Sequence, residues 1–430
     1  MTIRLRPKLV EGIFIYQDKG RTLILNPKAP DWISVGDSYR DIFDLFNGDN
    51  DISQIEFFVK HRYLSDNPDL LITQINNLLL NSKIFSHNWV EVTSSINDYM
   101  PIPKYIYLTL TDSCNLACSY CYAKERVSTV ISSLTQWQMY IDKILRVSNE
   151  ITFTFTGGEP LLVPFVFDLA RYVSSKTVKP IILTNGTMIA YRKVAKEMAE
   201  CFSQIRISLD SINSDSNTLL RGPGVLEKVE EAVKLLEEVG ADYLVVPTIT
   251  QINKDEVGII ANHFSNKVSF QPLYKMGSSR DCPELAISGL EYYEALSTGG
   301  VFSFLPGYRQ NIHCFRNNPY KRCAMASEEL SIGPNGDLFP CHLLHYSDYK
   351  IGNLNIDDPI ELYFSSEKLK NLRNISVDSI THCKECPVRN FCGAACRARI
   401  DVNEYGLDGV DKFCVYEKES ILEALIYSFG

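Results

Sequence analysis

The sequence predicts an α/β protein: an open, partial barrel of six β/α units, preceded by a winged-helix-like α+β module and followed by a cysteine-rich region. Three observations predict this fold. Short β-prone segments alternate with amphipathic helical segments through the middle of the chain, which is the pattern of a parallel sheet. A hairpin signal and three helical patterns precede this alternation. Eleven of the 13 cysteines fall into two groups, one inside the alternation and one after it.

Residues 1–87 form the predicted first module. Gly12–Tyr16 and Arg21–Leu25 are short β-prone runs around a polar turn, which is a hairpin signal. Three apolar helical patterns follow, and Pro68 stands near the first turn of the third. The exposed edge of the hairpin is expected at Arg21–Leu25. Residues 88–103 read as a linker.

Residues 104–304 carry six candidate strands with amphipathic helices between them. Six units are too few for a closed eight-fold barrel, so we expect an open one with its chemistry at the carboxyl ends of the strands. Residues 305–430 show few long periodic segments, which predicts a region held together by metal. The candidate strands are Tyr105–Leu110, Ile151–Phe155, Ile181–Leu183, Ile205–Leu209, Tyr243–Ile249 and Val268–Leu273.

Composition and charge exclude several classes of protein. The 430 residues include 43 Lys and Arg against 52 Asp and Glu, a formal charge of −9. This acidic excess argues against nucleic-acid and anionic-membrane binding. No apolar run reaches the ~18–20 residues of a membrane span, and the first residues lack the apolar core of a signal peptide. The sequence therefore predicts a cytoplasmic protein, in which clustered cysteines bind metal more often than they form disulfides.

The first cysteine group is Cys114-x3-Cys118-x2-Cys121, directly after the first candidate strand. This position predicts that it lies on a loop at the catalytic rim of the barrel. Three thiolates cannot saturate a four-iron cluster, so one iron stays open, which suits a reactive site. For this motif alone, the structural alternative is a zinc site that lacks one ligand.

The spacing and context of this motif resemble the radical S-adenosylmethionine (SAM) superfamily, whose loop reads Cys-x3-Cys-x-aromatic-Cys. Tyr120 is the aromatic residue here. The resemblance implies that SAM chelates the open iron through its amine and carboxylate. It also implies reductive cleavage of SAM to a 5′-deoxyadenosyl radical, which abstracts a hydrogen atom from a substrate. The cofactor supplies this chemistry, and the protein binds and orients it.

The same resemblance implies contacts to SAM at the ends of successive strands. Gly157, Gly158 and Glu159 follow the second strand and would receive the SAM ammonium, although a tight turn is the structural alternative. Ser208 would make a polar contact, and Arg221 would hold the carboxylate unless it is a solvated surface residue. The remaining implied contacts are Tyr120, Asn185, Asp210 and Thr248, of which Asn185 and Thr248 have simple strand-end positions as their alternative.

The second cysteine group runs through the last third of the chain. Cys323 is followed by Gly336 and Cys341, then by Cys383-x2-Cys386-x5-Cys392-x3-Cys396, and finally by Cys414. In order and spacing this resembles the seven-cysteine SPASM extension found on many radical SAM peptide-modifying enzymes. A pair of zinc ribbons is the alternative, since Cys383-x2-Cys386 alone would suit zinc.

The SPASM resemblance implies two auxiliary 4Fe–4S clusters, and therefore three 4Fe–4S clusters in the chain. Family ligation interleaves the two ligand sets. The first set would be Cys314, Cys323, Cys341 and Cys396, and the second Cys383, Cys386, Cys392 and Cys414. If Cys314 does not bind, the first auxiliary cluster keeps an open iron for a substrate thiolate. Cys201 and Cys282 have no close cysteine neighbour and are expected to be ordinary thiols.

In this setting residues 1–87 resemble the peptide-recognition elements of enzymes that modify ribosomally made peptides. They are similar in element order to the small peptide chaperone of pyrroloquinoline-quinone biosynthesis. The resemblance implies that the module captures a leader peptide as an added strand next to the third helix, with affinity from backbone hydrogen bonds. The alternative is a purely structural cap on the barrel.

Together these resemblances imply a radical SAM maturase that forms a thioether, a sulfur-to-carbon cross-link, in a ribosomal precursor peptide. The layout looks like that of sactipeptide and ranthipeptide synthases. A low-potential donor such as flavodoxin or ferredoxin would supply electrons, and no side chain is assigned to substrate catalysis. The alternatives are a carbon–carbon or ether cross-link and epimerisation. Sulfatase maturases need no leader-binding module, and a non-catalytic zinc or iron–sulfur regulatory protein is the rival from another class.

Overall fold

The computed structural model describes residues 5–64, 67–88, 101–124, 132–301, 322–401 and 406–428. The strands are β1 (Phe14–Asp18), β2 (Arg21–Asn26), β3 (Asp31–Gly36), β4 (Tyr105–Thr111), β5 (Thr152–Gly157), β6 (Ile181–Thr184), β7 (Gln204–Ile207), β8 (Tyr243–Val245), β9 (Thr248–Ile249), β10 (Gln271–Pro272), β11 (Glu329–Ile332), β12 (Asp337–Phe339) and β13 (Gly352–Asn353). The helices of the N-terminal module and the barrel are α1 (Asp41–Asp44), α2 (Ile52–Arg62), α3 (Pro68–Asn81), α4 (Leu134–Ile144), α5 (Val166–Lys176), α6 (Arg192–Cys201), α7 (Ser214–Arg221), α8 (Val225–Glu238), α9 (Val257–His263) and α10 (Gly289–Thr298). The C-terminal helices are α11 (Pro359–Ser365), α12 (Glu367–Arg373), α13 (Thr381–Lys384), α14 (Arg389–Cys392), α15 (Arg397–Asp401) and α16 (Cys414–Tyr427).

One eight-stranded sheet forms the centre of the molecule, in the order β13-β12-β11-β4-β5-β6-β7-β8. Strands β4 to β8 run parallel, as the alternation of strands and helices predicted. Ile106 and Leu108 are fully buried in the core that the sheet shares with the helices. Because successive side chains of a strand point to opposite faces, Tyr107 faces the interior of the barrel. The predicted α/β fold is confirmed.

The fifth and sixth predicted strands differ in detail from the observed ones. The predicted strand Tyr243–Ile249 is divided into β8 and β9. Pro247 lies at the break, and proline has no N–H to donate to a ladder. Strand β10 pairs in parallel with β9, and Val268 forms a parallel bridge with Val245. The sixth unit therefore continues the barrel through two short pairings instead of one long strand.

The C-terminal region contributes strands to the barrel sheet, which the sequence did not predict. Strand β11 pairs in parallel with β4, and β12 and β13 add antiparallel pairs beyond it. Leu330, Ile332 and Leu338 are fully buried in the same core as the barrel helices. This region is therefore held by apolar packing on the barrel as well as by its cysteines. The strands are only two to four residues long, so they give little periodic signal.

The N-terminal module contains the predicted hairpin and three helices, together with a third strand, β3. The sheet order β1-β2-β3 places β2 in the middle, where Leu23, Ile24 and Leu25 are almost completely buried. The expectation that Arg21–Leu25 forms the exposed edge is therefore wrong. The two edges of this sheet are β1 and β3.

The two faces of the N-terminal sheet pack against different partners. Ile24 and Ile33 contact the core of the module's own helices. Leu23, Leu25 and Trp32 face the other way and pack against α16 and the segment that carries Cys386 and Cys392. The Arg21 Nε donates to the Ile426 carbonyl at 3.0 Å, and the Trp32 Nε1 donates to the Ser428 Oγ at 2.8 Å. The module is thus seated on the C-terminal helix.

Among the described residues, no helix combines the length and apolar character that crossing a membrane requires.

Candidate active site

The first cysteine loop leaves the carboxyl end of β4 and is fastened to the turn after β5. The Gly158 N–H donates to the Thr111 carbonyl at 2.7 Å, and the Glu159 N–H donates to the Ser113 carbonyl at 2.9 Å. A Cβ on Gly158 would lie 2.2 Å from the Ser113 oxygen, a separation that real Cβ atoms do not show. Glycine is therefore required where the turn meets the residue before Cys114.

The three thiols of the loop lie close enough to influence one another. Burial raises the pKa of Cys118 to about 11, and the nearby Cys114 and Cys121 thiolates add to this rise while Arg221 opposes it. The thiolate, not the thiol, is the form that binds metal. Metal binding by these thiols would therefore release protons.

The Glu159 carboxylate is completely buried and turns inward from the loop. It accepts hydrogen bonds from the Leu161 N–H at 2.9 Å, the Thr184 hydroxyl at 2.8 Å and the Asn185 N–H at 2.7 Å. Burial raises its pKa, although these three donors favour the charged form. Glu159 therefore links the turn that follows β5 to the end of β6.

Asn185 lies at the end of β6 against the cysteine loop. Its Nδ2 is 3.8 Å from the Cys114 Sγ and donates to the Asn115 side chain at 2.8 Å. Its Oδ1 accepts from the Thr187 N–H at 3.0 Å. The residue therefore contacts the loop that presents the first thiol.

Asp210, Arg221 and Tyr120 meet beneath the loop. The Arg221 Nε and Nη2 donate to the two Asp210 oxygens at 2.7 and 3.0 Å, and the Tyr120 hydroxyl donates to the same carboxylate. The Thr248 N–H adds a fourth hydrogen bond at 2.8 Å. Asp210 is completely buried and Arg221 is only 7% exposed, so Arg221 is not a solvated surface residue.

Ser208 directly follows β7, on the interior side of the barrel. Ile205 and Ile207 are buried under the helices, so Arg206 and Ser208 face into the barrel. The Ser208 N–H donates to the Thr184 carbonyl at 2.9 Å. Arg206 was missed by sequence reasoning, although the alternation along β7 was enough to place it inside.

A second missed contact joins the barrel interior to the C-terminal region. The ring of Tyr107 stacks on His342, with centroids 4.2 Å apart. The Glu329 Oε1 accepts from the His342 N–H at 3.0 Å and lies 2.7 Å from its Nδ1. Because His342 follows Cys341, this stack connects the inner wall of the barrel to a predicted cluster ligand. No local sequence signal indicated it, since the two rings lie on distant segments.

Three cysteines of the predicted first auxiliary set are brought together. Burial raises the pKa of Cys341, and the Cys323 and Cys396 thiolates raise it further. Burial likewise raises the pKa of Cys396 to about 11, with Cys323 adding to the rise. Cys396 follows Cys392 by only four residues, yet its thiol interacts with the distant Cys323. Cys314, the predicted fourth ligand, lies outside the described residues.

The four cysteines of the second set surround one cavity. Arg389, Arg397 and Lys418 line the same cavity and place positive charge beside the thiols. Burial raises the pKa of each of the four thiols. The set consists of Cys383, Cys386, Cys392 and Cys414.

The donor chemistry of these sites suits iron–sulfur clusters. Thiolates are the protein ligands of such clusters. Here the thiols occur in separate sets, and the thiols within each set interact with one another. In the described part of the chain, no three His, Cys, Asp or Glu side chains converge closely enough to hold a single metal ion. A four-iron cluster spreads its ligands over a larger volume than one ion does, and the shared cavity of the second set fits that arrangement.

Comparison with known protein families follows the same division. Residues 108–263 match the radical SAM superfamily, and residues 323–387 match SPASM, an iron–sulfur cluster-binding domain. The chain therefore contains a radical SAM domain, and the second match adds the SPASM extension that the cysteine spacing indicated.

Individual relatives differ in what their names describe. The chain is 26% identical over 359 residues to the antilisterial bacteriocin subtilosin biosynthesis protein AlbA of Bacillus subtilis. This alignment covers 78% of this chain and 76% of AlbA. It is 24% identical to the AdoMet-dependent heme synthase of Methanosarcina barkeri, over 73% of this chain and 97% of that protein. The structure of Streptococcus suis SuiB bound to the precursor peptide SuiA superposes with a TM-score of 0.59 at 15% identity, covering 95% of this chain and 99% of SuiB. At that identity the superposition shows a shared fold.

Proposed function

We propose that this protein is a maturase that forms an intramolecular thioether in a ribosomally synthesised precursor peptide. The observation that carries the proposal is the stack of Tyr107 on His342. Tyr107 stands on β4, the strand that leads to Cys114, and His342 adjoins Cys341. A peptide in the barrel interior therefore lies between the thiol set at the barrel mouth and the first set of the C-terminal region.

Different residues at the barrel mouth would bind the cluster and SAM. Cys114, Cys118 and Cys121 would hold a 4Fe–4S cluster, and SAM bound to it would supply a 5′-deoxyadenosyl radical for hydrogen abstraction. The backbone at Gly157 and Gly158 receives the SAM ammonium. Further contacts to SAM come from Ser208, Arg221, Asn185, Thr248 and Tyr120. Glu159 and Asp210 act indirectly, because Glu159 accepts a hydrogen bond from Asn185 and Asp210 accepts one from Arg221.

Two hydrogens leave the peptide when the thioether forms. One leaves a core-peptide carbon as a hydrogen atom, and the other leaves the cysteine thiol as a proton. Closure of the carbon–sulfur bond then releases one electron. A 4Fe–4S cluster held by Cys323, Cys341 and Cys396 would supply the acceptor for this electron, and these residues adjoin the barrel interior through His342.

The chain divides into four functional segments in this proposal. Residues 1–87 bind the leader peptide and residues 88–103 form a linker. Residues 104–304 form the SAM-binding barrel, whereas residues 305–430 hold two auxiliary 4Fe–4S clusters. Flavodoxin or ferredoxin supplies the electrons. Strand β11 pairs with β4, so the last two segments act as one body.

The leader peptide adds to the edge of β3. This edge lies beside the end of α3, where the Asp31 carboxylate accepts from the Ser82 hydroxyl at 2.7 Å. Added strands gain affinity from backbone hydrogen bonds along an edge strand, and β2 has a strand on both sides. A structure similar in fold contains a precursor peptide, which supports a peptide substrate.

The experiment is co-expression of the protein with a candidate precursor peptide, followed by mass spectrometry. Each thioether lowers the peptide mass by two hydrogens and makes the linked cysteine resistant to iodoacetamide. A carbon–carbon or ether cross-link also removes two hydrogens but leaves cysteine alkylation unchanged. Epimerisation leaves the mass unchanged and takes up deuterium from heavy water. Both outcomes would replace the thioether assignment.

The matched control is the variant in which Cys114, Cys118 and Cys121 are all alanine. It removes the cluster at the barrel mouth and keeps the two auxiliary sets, so it must leave the peptide unmodified. Anaerobic reconstitution of the wild-type chain is expected to give about twelve irons per chain, from three four-iron clusters. Zinc in place of iron would favour the regulatory-protein alternative.

A further inference from the structure

Asp210 is the centre of a buried hydrogen-bond network directly beneath the cysteine loop. Its Oδ1 accepts from the Arg221 Nη2 at 3.0 Å and the Thr248 N–H at 2.8 Å. Its Oδ2 accepts from the Arg221 Nε at 2.7 Å and from the Tyr120 hydroxyl. The side chain of Asp210 is completely buried, so both oxygens are used inside the protein. The carboxylate therefore acts on the site through its partners.

The partners of Asp210 come from three separate elements. Tyr120 stands in the cysteine loop between Cys118 and Cys121, Arg221 ends α7, and Thr248 begins β9. On the other side, the Asn253 Nδ2 donates to the Asp210 carbonyl at 2.7 Å. The Asp210 carboxylate therefore fixes the position of the cysteine loop relative to α7 and β9.

A backbone hydrogen bond also joins the cysteine loop to the end of α7. The Ser119 N–H donates to the Leu220 carbonyl at 3.0 Å. Tyr120 and Leu220 also share a small buried apolar cluster with Leu273 and Leu285. The loop is therefore joined to the end of α7, the segment that carries Arg221.

We propose that Asp210 is a positioning residue that couples SAM affinity to the geometry of the cysteine loop. The proposal rests on the proposed function, in which Arg221 holds the SAM carboxylate and the loop holds the cluster that chelates the same molecule. One ligand then has two anchors, and its affinity depends on the distance between them. Asp210 sets that distance because its carboxylate accepts hydrogen bonds from both Arg221 and Tyr120.

The test is a double-mutant cycle on SAM affinity. The dissociation constant of SAM is measured by calorimetry on the anaerobically reconstituted chain for wild type, Tyr120→Phe, Asp210→Asn and the double variant. Each single change is expected to weaken SAM binding by about tenfold, because each removes a hydrogen bond to a charged group. In the Asp210→Asn background, Tyr120→Phe is expected to have no further effect, since coupled residues are not additive.

Separate readouts distinguish positioning from a structural role. In Tyr120→Phe the iron content and melting temperature are expected to stay at wild-type values, while the SAM-induced change in the electron paramagnetic resonance spectrum of the reduced cluster is diminished. Asp168→Asn, which breaks an exposed ion pair with Arg171, is the matched control and must leave SAM affinity unchanged. If Asp210→Asn does not fold, the cycle is run with Tyr120→Phe and Arg221→Lys, where the same non-additivity is expected.

Two kinds of result would contradict the role of Asp210, and only one of them would also contradict the proposed function. Additive effects of the two changes, or unchanged SAM affinity in Tyr120→Phe, would overturn the role of Asp210 while the proposed function stands. A wild-type chain that carries its clusters and does not bind SAM would overturn both.

Discussion

Trp32 of the N-terminal sheet meets Phe391 edge-to-face, with ring centroids 5.6 Å apart. Phe391 precedes Cys392, one of the four thiols around the second cysteine cavity. The module proposed to bind the leader peptide is thus in direct contact with a proposed cluster site. Helix α16 extends the contact, because it begins at Cys414 and ends under the strands of that module.

Trp32→Ala is expected to loosen the N-terminal module from the rest of the protein. Replacing a fully buried tryptophan by alanine costs about 3–5 kcal/mol, and here it also removes the hydrogen bond to Ser428. Hydrogen–deuterium exchange should show faster exchange in β1–β3 and in α16. Phe57→Ala, at a residue that is 64% exposed, is the control and should leave this exchange unchanged. Equal protection in both variants would contradict the contact.

Gly158→Ala is expected to displace the first cysteine loop. The added Cβ would meet the Ser113 oxygen at 2.2 Å, so the turn or the residues before Cys114 must move. Reconstituted protein should then lose the cluster at the barrel mouth and fall from about twelve irons to about eight. Gly36→Ala, where the nearest atom is 3.6 Å from the new Cβ, should keep its full iron content. Full iron in Gly158→Ala would argue against this loop geometry.

Tyr107→Leu is expected to uncouple SAM cleavage from cross-linking. The change removes the ring that stacks on His342 beside Cys341, whereas Tyr107→Phe keeps the ring. The ratio of 5′-deoxyadenosine to cross-linked peptide should rise several-fold in Tyr107→Leu and remain near wild type in Tyr107→Phe. An unchanged ratio in both variants would remove Tyr107 from the proposed path to the first auxiliary set.

Glu291 is expected to make the stability of the protein sensitive to acid. Hydrogen bonds from Gln251 and Ser288 lower the pKa of its carboxyl to about 2, from a usual value of 4.5. The folded state therefore binds the proton more weakly than the unfolded chain, so this stabilisation is present above pH 4.5 and is lost as the pH falls to about 2. Thermal melts of Glu291→Gln should show a smaller loss of melting temperature over this range than wild type. The neighbouring Glu294→Gln is the control and should follow the wild-type curve.

The sequence predicted the elements that have a strong local signal. The Cys114 loop, the parallel strands that precede it and follow it, and the interleaving of Cys396 with Cys323 were all expected from spacing and family resemblance. The structure brings Cys323, Cys341 and Cys396 together and places the four cysteines of the second set around one cavity, while their ligation of clusters stays a prediction. Long-range pairings were harder to predict, because strand β11 has four residues and its partner β4 lies more than 200 residues away. The misplaced edge at Arg21–Leu25 has the same origin, since recognising a central strand requires knowledge of both partners.

The hydrogen-bond partners of the side chains in the site could not be predicted from the sequence either. Asp210 and Arg221 were both expected near SAM, but their separation along the chain did not show that they bind each other. Glu159 was expected to face the cofactor, whereas its carboxylate is turned toward Thr184 and Asn185. Burial decides both cases, because a carboxylate without solvent takes the nearest donors in the protein. Burial depends on the assembled fold and is not encoded in motif spacing.

The central claim is that three thiolates at the barrel mouth hold a cluster that cleaves SAM. The most direct measurement is 5′-deoxyadenosine formed by the anaerobically reconstituted chain with dithionite and SAM, compared with the variant in which Cys114, Cys118 and Cys121 are alanine. We expect 5′-deoxyadenosine from the wild-type chain and none from the variant, which still carries the auxiliary cysteines. Equal yields from both proteins, or no product from a wild-type chain with its full iron content, would contradict it.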